Sequence, residues 1–102
     1  MMHNSDKKYV SEHLGEGLEL VVFYADWCGP CNMFKETLEQ LVKEYPTINV
    51  YRVNIDNDRD YALEMGVSNI PAYAIYKDGK VVSKQTGYRP LPALVELLKE
   101  YM

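Results

Sequence analysis

The only two cysteines of the chain, Cys28 and Cys31, are separated by two residues and could form a reversible disulfide bond. They follow an apolar run and precede a segment of helical periodicity, which places both sulfurs at the first turn of a helix. A helix N-terminus lowers a thiol pKa from about 8.5, commonly by a unit or more, because it carries partial positive charge and unpaired N–H groups. Since only a thiolate attacks a disulfide, we expect Cys28 to be the nucleophile and Cys31 to resolve the mixed disulfide.

The residues around the cysteines suit the same geometry. Pro30 fits the first helical turn, where its missing N–H is not needed. Gly29 leaves the approach to the sulfurs open for the backbone of a partner, and Trp27 stands directly before Cys28. Together these residues predict an active-site turn between a strand and a helix.

The C-x-x-C spacing also occurs in zinc sites, in iron–sulfur clusters and by chance. A structural zinc site needs four ligands and a catalytic one three, yet the chain has no third cysteine. His3 and His13 lie in a polar stretch before the apolar run, and we interpret both as solvated surface residues. A purely structural disulfide is disfavoured because so short a loop removes little entropy from the unfolded chain. The pattern therefore favours a redox pair without a metal.

Composition excludes several other classes of protein. The 102 residues, 47% hydrophobic and 25% charged, predict one domain over residues 1–102 with a single core. A net charge of −4 and scattered basic residues disfavour nucleic-acid binding. No segment approaches the roughly 20 apolar residues of a membrane span, and no signal sequence precedes the domain, so we expect a cytoplasmic protein without membrane contact. In that reducing compartment, a C-x-x-C pair is more often catalytic than structural.

Hydrophobic periodicity predicts an alternation of helices and strands. The run at 18–24 is too continuous for a half-exposed strand and indicates a central strand covered on both faces. A crossover helix after it requires the next strand to be parallel. The predicted elements are a helix at 7–14, a strand at 18–24, a helix at 31–45, a strand at 49–55, a short helix ending at Gly66, an antiparallel hairpin at 73–86 and a last helix from Pro92.

Five segments of the chain match a known family pattern: Trp27-Cys28-Gly29-Pro30-Cys31, Asn54-Ile55-Asp56, Ile70-Pro71, Asp78-Gly79 and Gly87. With these segments, the chain resembles the thioredoxin family from residue 18 to the C-terminus. The resemblance implies an α/β thioredoxin fold, with a central mixed sheet of four or five strands flanked by helices. Because few residues precede the first helix, we expect four strands and at most a short fifth one at the N-terminus.

The resemblance also implies how a substrate would bind. The Ile70–Pro71 peptide bond is expected to be cis and to lie beside the disulfide. The backbone of Ile70 would then pair with an extended segment of the client protein, so that the sequence of the client matters little. For Tyr88, simple surface packing is an equally good interpretation. The expected docking residues are Trp27, Pro30, Val67, Ile70, Pro71, Gly87 and Tyr88.

The implied activity is the reduction of disulfides in many client proteins by a monomer with no bound cofactor. The electrons would come from NADPH through a flavin-dependent thioredoxin reductase. An oxidase or isomerase is an alternative, but Gly-Pro between the cysteines and the lack of an export signal favour reduction. A non-catalytic binding module is a second alternative, and the intact C-x-x-C disfavours it.

The chain departs from the family pattern near the cysteines. Val22 stands where the family commonly has a buried carboxylate, and Arg52 replaces a usual lysine. We expect Val22 to stabilise the core, since burying a polar group costs about 1–3 kcal/mol, and to make Cys28 more acidic. The couple should then be more oxidising, by about 30 mV for each 1.4 kcal/mol. Arg52 could add positive potential, although long side chains more often extend their charge to water.

Overall fold

The computed structural model describes all 102 residues and contains one mixed sheet with helices on both faces. The expected α/β thioredoxin fold is confirmed, in its five-stranded form. The strands are β1 (Met2–Ser5), β2 (Leu18–Tyr24), β3 (Asn49–Asn54), β4 (Ala72–Lys77) and β5 (Lys80–Thr86). The helices are α1 (Lys7–His13), α2 (Gly29–Glu44), α3 (Arg59–Glu64) and α4 (Leu91–Lys99).

The strand order across the sheet is β1-β3-β2-β4-β5. β1, β3 and β2 run parallel, whereas β4 is antiparallel to β2 and β5 is antiparallel to β4. The short N-terminus does form an edge strand, because the Met1 ammonium group donates to the Ile48 carbonyl at 2.7 Å and Met2–Ser5 then pair with β3. Four residues are therefore enough to complete the sheet.

The predicted central strand β2 is buried along its whole length except at Tyr24, which is half-buried. Its side chains alternate between two apolar layers, as the twofold period of a strand requires. One layer lies under α2 and α4 and includes Leu20, Phe34 and Leu98. The other lies under α1 and α3 and includes Phe23. None of the helices combines the length and the apolar character that crossing a bilayer requires.

The predicted element boundaries agree with the structure to within about two residues, and the differences have local causes. α2 begins at Gly29 rather than Cys31, since Cys28 is already its N-cap residue. The hairpin turn has positive φ at both Asp78 (52°) and Gly79 (82°), the geometry of a type I′ turn, which matches the right-handed twist of paired strands. The short segment between Tyr24, the last residue of β2, and Gly29, the first residue of α2, contains Cys28, and Cys31 lies in the first turn of α2. The connection between these two elements thus positions both cysteines.

Candidate active site

Cys28 and Cys31 lie at the N-terminus of α2 and are joined by a disulfide bond. Their Cα atoms are 5.2 Å apart, within the range of roughly 4.4–6.8 Å that disulfides adopt. Cys28 is the N-cap residue, and the backbone N–H of Cys31 donates to its sulfur at 3.2 Å. The spacing of two residues thus brings the sulfurs together without leaving the first turn of the helix.

The position of the Cys28 sulfur favours a negative charge. α2 is 16 residues long, so its aligned peptide dipoles present partial positive charge to the N-cap position. Both cysteines are buried, and Cys28 is the more accessible of the two, at 6% against 2% exposed. An incoming disulfide therefore meets the Cys28 sulfur first, with Cys31 behind it.

The segment at Ile70–Pro71 lies against the sulfurs. The Ile70–Pro71 peptide bond is cis, and the Ile70 carbonyl oxygen is 3.8 Å from the Cys28 sulfur. The N–H of Gly87 donates to the Pro71 carbonyl at 2.8 Å and ties the end of β5 to this segment. Neither the N–H nor the C=O of Ile70 is paired with another backbone group, so a free stretch of backbone borders the reactive sulfur.

A groove beside the cysteines has a volume of about 450 Å³. It brings together three of the expected docking residues, Trp27, Val67 and Ile70. The Trp27 side chain is 70% exposed and is held over the groove because its indole N–H donates to Asp56 Oδ2 at 3.0 Å. The lining residues that sequence reasoning missed are Ile55, Asp56, Arg59, Ala62, Leu63 and Ser68.

One of these missed residues had a visible signal. Leu63 is a large apolar residue on the short helix α3, and its side chain is 73% exposed instead of joining the core. An apolar side chain on the outer face of a short helix is a feature that the sequence could have flagged. The polar lining residues carried no such signal.

Four expected docking residues do not line the groove: Pro30, Pro71, Gly87 and Tyr88. Pro30 and Gly87 are exposed, and Gly87 reaches the site through its hydrogen bond to Pro71. The Tyr88 ring meets Phe34 edge-on, with centroids 6.4 Å apart, and is 39% exposed. Tyr88 is thus anchored to the core by one side and open on the other.

Comparison with known proteins agrees with this geometry. A sequence model of the family Thioredoxin matches residues 1–100. The chain belongs to the thioredoxin family. Thioredoxin of Chlamydia muridarum is 37% identical over 91 residues, 89% of each chain, and that of Bacillus subtilis is 34% identical over 99 residues, 96% of this chain and 94% of the other. The X-ray structure of Fasciola hepatica thioredoxin superimposes with a TM-score of 0.80 at 31% identity, covering 94% of this chain and 90% of that one.

Family membership and the Cys28–Cys31 pair identify the protein as a thiol-disulfide oxidoreductase of the disulfide-reducing kind. The structure contains no group of three or more His, Cys, Asp or Glu side chains that could hold a metal ion. The prediction that both histidines are solvated was wrong for His3. His3 is half-buried, and its ring nitrogens lie 3.2 Å from the Tyr9 hydroxyl and from Asn49 Oδ1.

The two departures from the thioredoxin pattern face each other across β2 and β3. Val22 is 1% exposed and stands opposite Arg52 in the register of these strands. Arg52 is 7% exposed over the whole residue, and its guanidinium lies 3.8 Å from the centre of the Tyr24 ring. Burial lowers the pKa of Arg52, and the fields of Tyr24, Asp26 and Glu39 partly offset that effect.

We predict that Val22→Asp raises the pKa of the Cys28 thiol in the reduced protein. A carboxylate at this buried position repels a thiolate and neutralises the charge of Arg52, and both effects disfavour ionisation of Cys28. The measurement is thiolate absorbance against pH, with Val22→Asn as the matched uncharged control. A Cys28 pKa that stays constant or falls in Val22→Asp, or one that rises equally in both variants, contradicts the electrostatic explanation.

Proposed function

We propose that the protein reduces disulfide bonds in client proteins, with Cys28 as the attacking thiolate and Cys31 as the resolving thiol. The observation that carries this assignment is the hydrogen bond from the Cys31 N–H to the Cys28 sulfur at the N-cap of α2. This donor and the helix dipole together favour a thiolate on Cys28 at neutral pH. Cys31, one turn further in, is shielded from clients and waits for the mixed disulfide.

The proposed reaction has two exchange steps. The Cys28 thiolate attacks one sulfur of the client disulfide, a new S–S bond forms between Cys28 and the client, and the other client sulfur leaves as a thiolate. Cys31 then loses its proton and attacks the Cys28 sulfur, which releases the second client thiolate. The client gains two electrons and the protein is left with the Cys28–Cys31 disulfide, the state that the structure describes.

Regeneration requires two electrons and one proton from outside the chain, because Cys28 returns as a thiolate and Cys31 as a thiol. We propose that NADPH supplies them through a flavin-dependent thioredoxin reductase, so that the protein itself needs no bound cofactor. The proposed setting is the cytoplasm, where a disulfide reductase is kept reduced. We propose that the protein works there as a monomer built from one domain over residues 1–102.

Docking of the client is proposed to use the backbone beside the cysteines and the neighbouring groove. The unpaired N–H and C=O of Ile70 would form hydrogen bonds with an extended client segment, in the manner of an added strand. Such bonds depend little on the client sequence. The groove under Trp27 would hold an apolar side chain of the client, since Ile55, Leu63, Val67 and Ile70 supply its apolar walls.

We predict that Cys28→Ser abolishes the reduction of insulin disulfides by dithiothreitol that the protein catalyses. Without the Cys28 sulfur, no mixed disulfide forms at the mouth of α2. Cys31→Ser is the matched control, because it keeps the attacking sulfur and should trap insulin in a mixed disulfide, visible on a non-reducing gel. Catalysis that persists in Cys28→Ser, or a wild-type protein that binds insulin without reducing it, contradicts the proposed function.

We predict that Leu63→Glu lowers kcat/KM for insulin about five- to tenfold, because the groove loses an apolar contact and gains a charge that resists desolvation. The rate with a small aromatic disulfide, which does not reach the groove, should remain unchanged. The control is Val82→Glu, which introduces the same change at another exposed apolar residue, on β5. An equal loss in both variants, or no loss in Leu63→Glu, excludes the groove as the docking site.

A further inference from the structure

The residues that join β5 to α4, 87–90, form a loop that starts beside the cysteines. At the start of this β5–α4 loop, the Gly87 N–H donates to the Pro71 carbonyl at 2.8 Å. At its end, the N-cap residue Pro90 makes no side-chain cap hydrogen bond to α4. The second half of the loop therefore depends on its side chains for a fixed position.

Arg89 provides that fixation. Its guanidinium donates to the hydroxyl of Tyr73 on β4 and, at 3.0 Å, to the side-chain oxygen of Gln85 on β5. Tyr73 and Gln85 are register partners in the antiparallel pair of these strands. Because the guanidinium is a rigid, planar fork of donors, one side chain joins the loop to both strands at once.

Tyr73 is a polar residue buried in the core, and Arg89 is its hydrogen-bond partner. Tyr73 is 2% exposed, and burial raises the pKa of its phenol, an effect that Arg89 partly opposes. The hydroxyl is therefore uncharged at neutral pH and needs a partner, because an unpaired buried polar group is costly. A satisfied polar contact of this kind fixes one arrangement of the groups that it joins.

The same tyrosine connects the loop with the cysteine-bearing helix. The Tyr73 ring packs against Phe34 with centroids 4.9 Å apart, and the Tyr88 ring meets Phe34 edge-on from the loop at 6.4 Å. Phe34 lies one turn after Cys31 on α2. Tyr88 lies between the two held residues of the loop, and its ring is open on the outer side, since the residue is 39% exposed.

We propose that Arg89 is a positioning residue for client binding, which fixes the β5–α4 loop so that the Tyr88 ring is presented to client proteins next to the cysteine-bearing helix. This inference rests on the proposed function and deepens it. Arg89 acts through Tyr88 and contacts neither the client nor the sulfurs. A side chain that is already ordered loses less conformational entropy on binding. Loss of Arg89 should therefore weaken client binding and leave the chemistry at the sulfurs unchanged.

The experiment is the kinetics of insulin reduction by Arg89→Met, which keeps an unbranched apolar stem but deletes the fork of donors. We expect KM for insulin to rise about threefold to tenfold. The value of kcat, the rate with a small aromatic disulfide and the Cys28 pKa should stay unchanged, because only binding is affected. Lys99→Met, which removes one charge from the exposed end of α4, controls for net charge and should match the wild type.

A purely structural Arg89 gives a different result. Its removal would lower the urea midpoint of unfolding but would leave KM of the folded protein unchanged, and that outcome overturns the proposal. Tyr73→Phe is useful if Arg89→Met does not fold, since it keeps the ring on Phe34 and deletes only the hydroxyl. It should raise KM by a smaller factor, because the bond from Arg89 to Gln85 remains. An unchanged KM in Tyr73→Phe also overturns the proposal.

A double-mutant cycle tests whether Arg89 acts through Tyr88. Tyr88→Ala alone should raise KM for insulin at least as much as Arg89→Met, and the double variant should show no further rise. Additive effects of the two substitutions, or a wild-type KM in Tyr88→Ala, overturn the proposal. These outcomes are separate from the proposed function, because a wild-type protein that fails to reduce insulin overturns that function whatever Arg89 does.

Discussion

The chemistry of this protein depends on one hydrogen bond, from the Cys31 N–H to the Cys28 sulfur at the N-cap of α2. An N-cap is usually filled by the oxygen of Ser, Thr, Asp or Asn, which accepts an otherwise unpaired N–H. Here the Cys28 sulfur occupies that position. The hydrogen bond and the dipole that normally stabilise a helix terminus therefore act on a reactive group. Two elements of the fold position this contact: β2 ends just before the active-site turn, and α2 begins there and contributes its helix dipole.

The residues around the Cys28 sulfur form two groups. One group favours ionisation of the thiol, and the other forms the surface where a client protein would dock. The helix terminus and the uncharged Val22 favour the thiolate. The cis Ile70–Pro71 segment and the groove under Trp27 border the sulfur with free backbone and apolar walls. Because the two groups contain different residues, acidity and client docking can be altered separately by mutation.

Much of the fold and of the chemistry was predictable from local pattern. The uninterrupted apolar run of β2 indicated a central strand, and the Asp78-Gly79 pair indicated a tight hairpin, because each pattern reflects a backbone requirement within a few residues. Two features depend instead on contacts between distant segments. The guanidinium of Arg52 on β3 stacks on the ring of Tyr24 on β2, and the groove is formed by Trp27 together with residues of α3. Neither residue spacing nor hydrophobic periodicity could reveal these two contacts.

The most direct measurement of the central claim is the rate of alkylation of Cys28 in the reduced protein as a function of pH. The account predicts a titration midpoint at least about one unit below the 8.5 of a free thiol, with Cys28 modified well before Cys31. A midpoint near that of a free cysteine, or equal rates at the two sulfurs, would contradict the claim that the N-cap of α2 holds an ionised nucleophile.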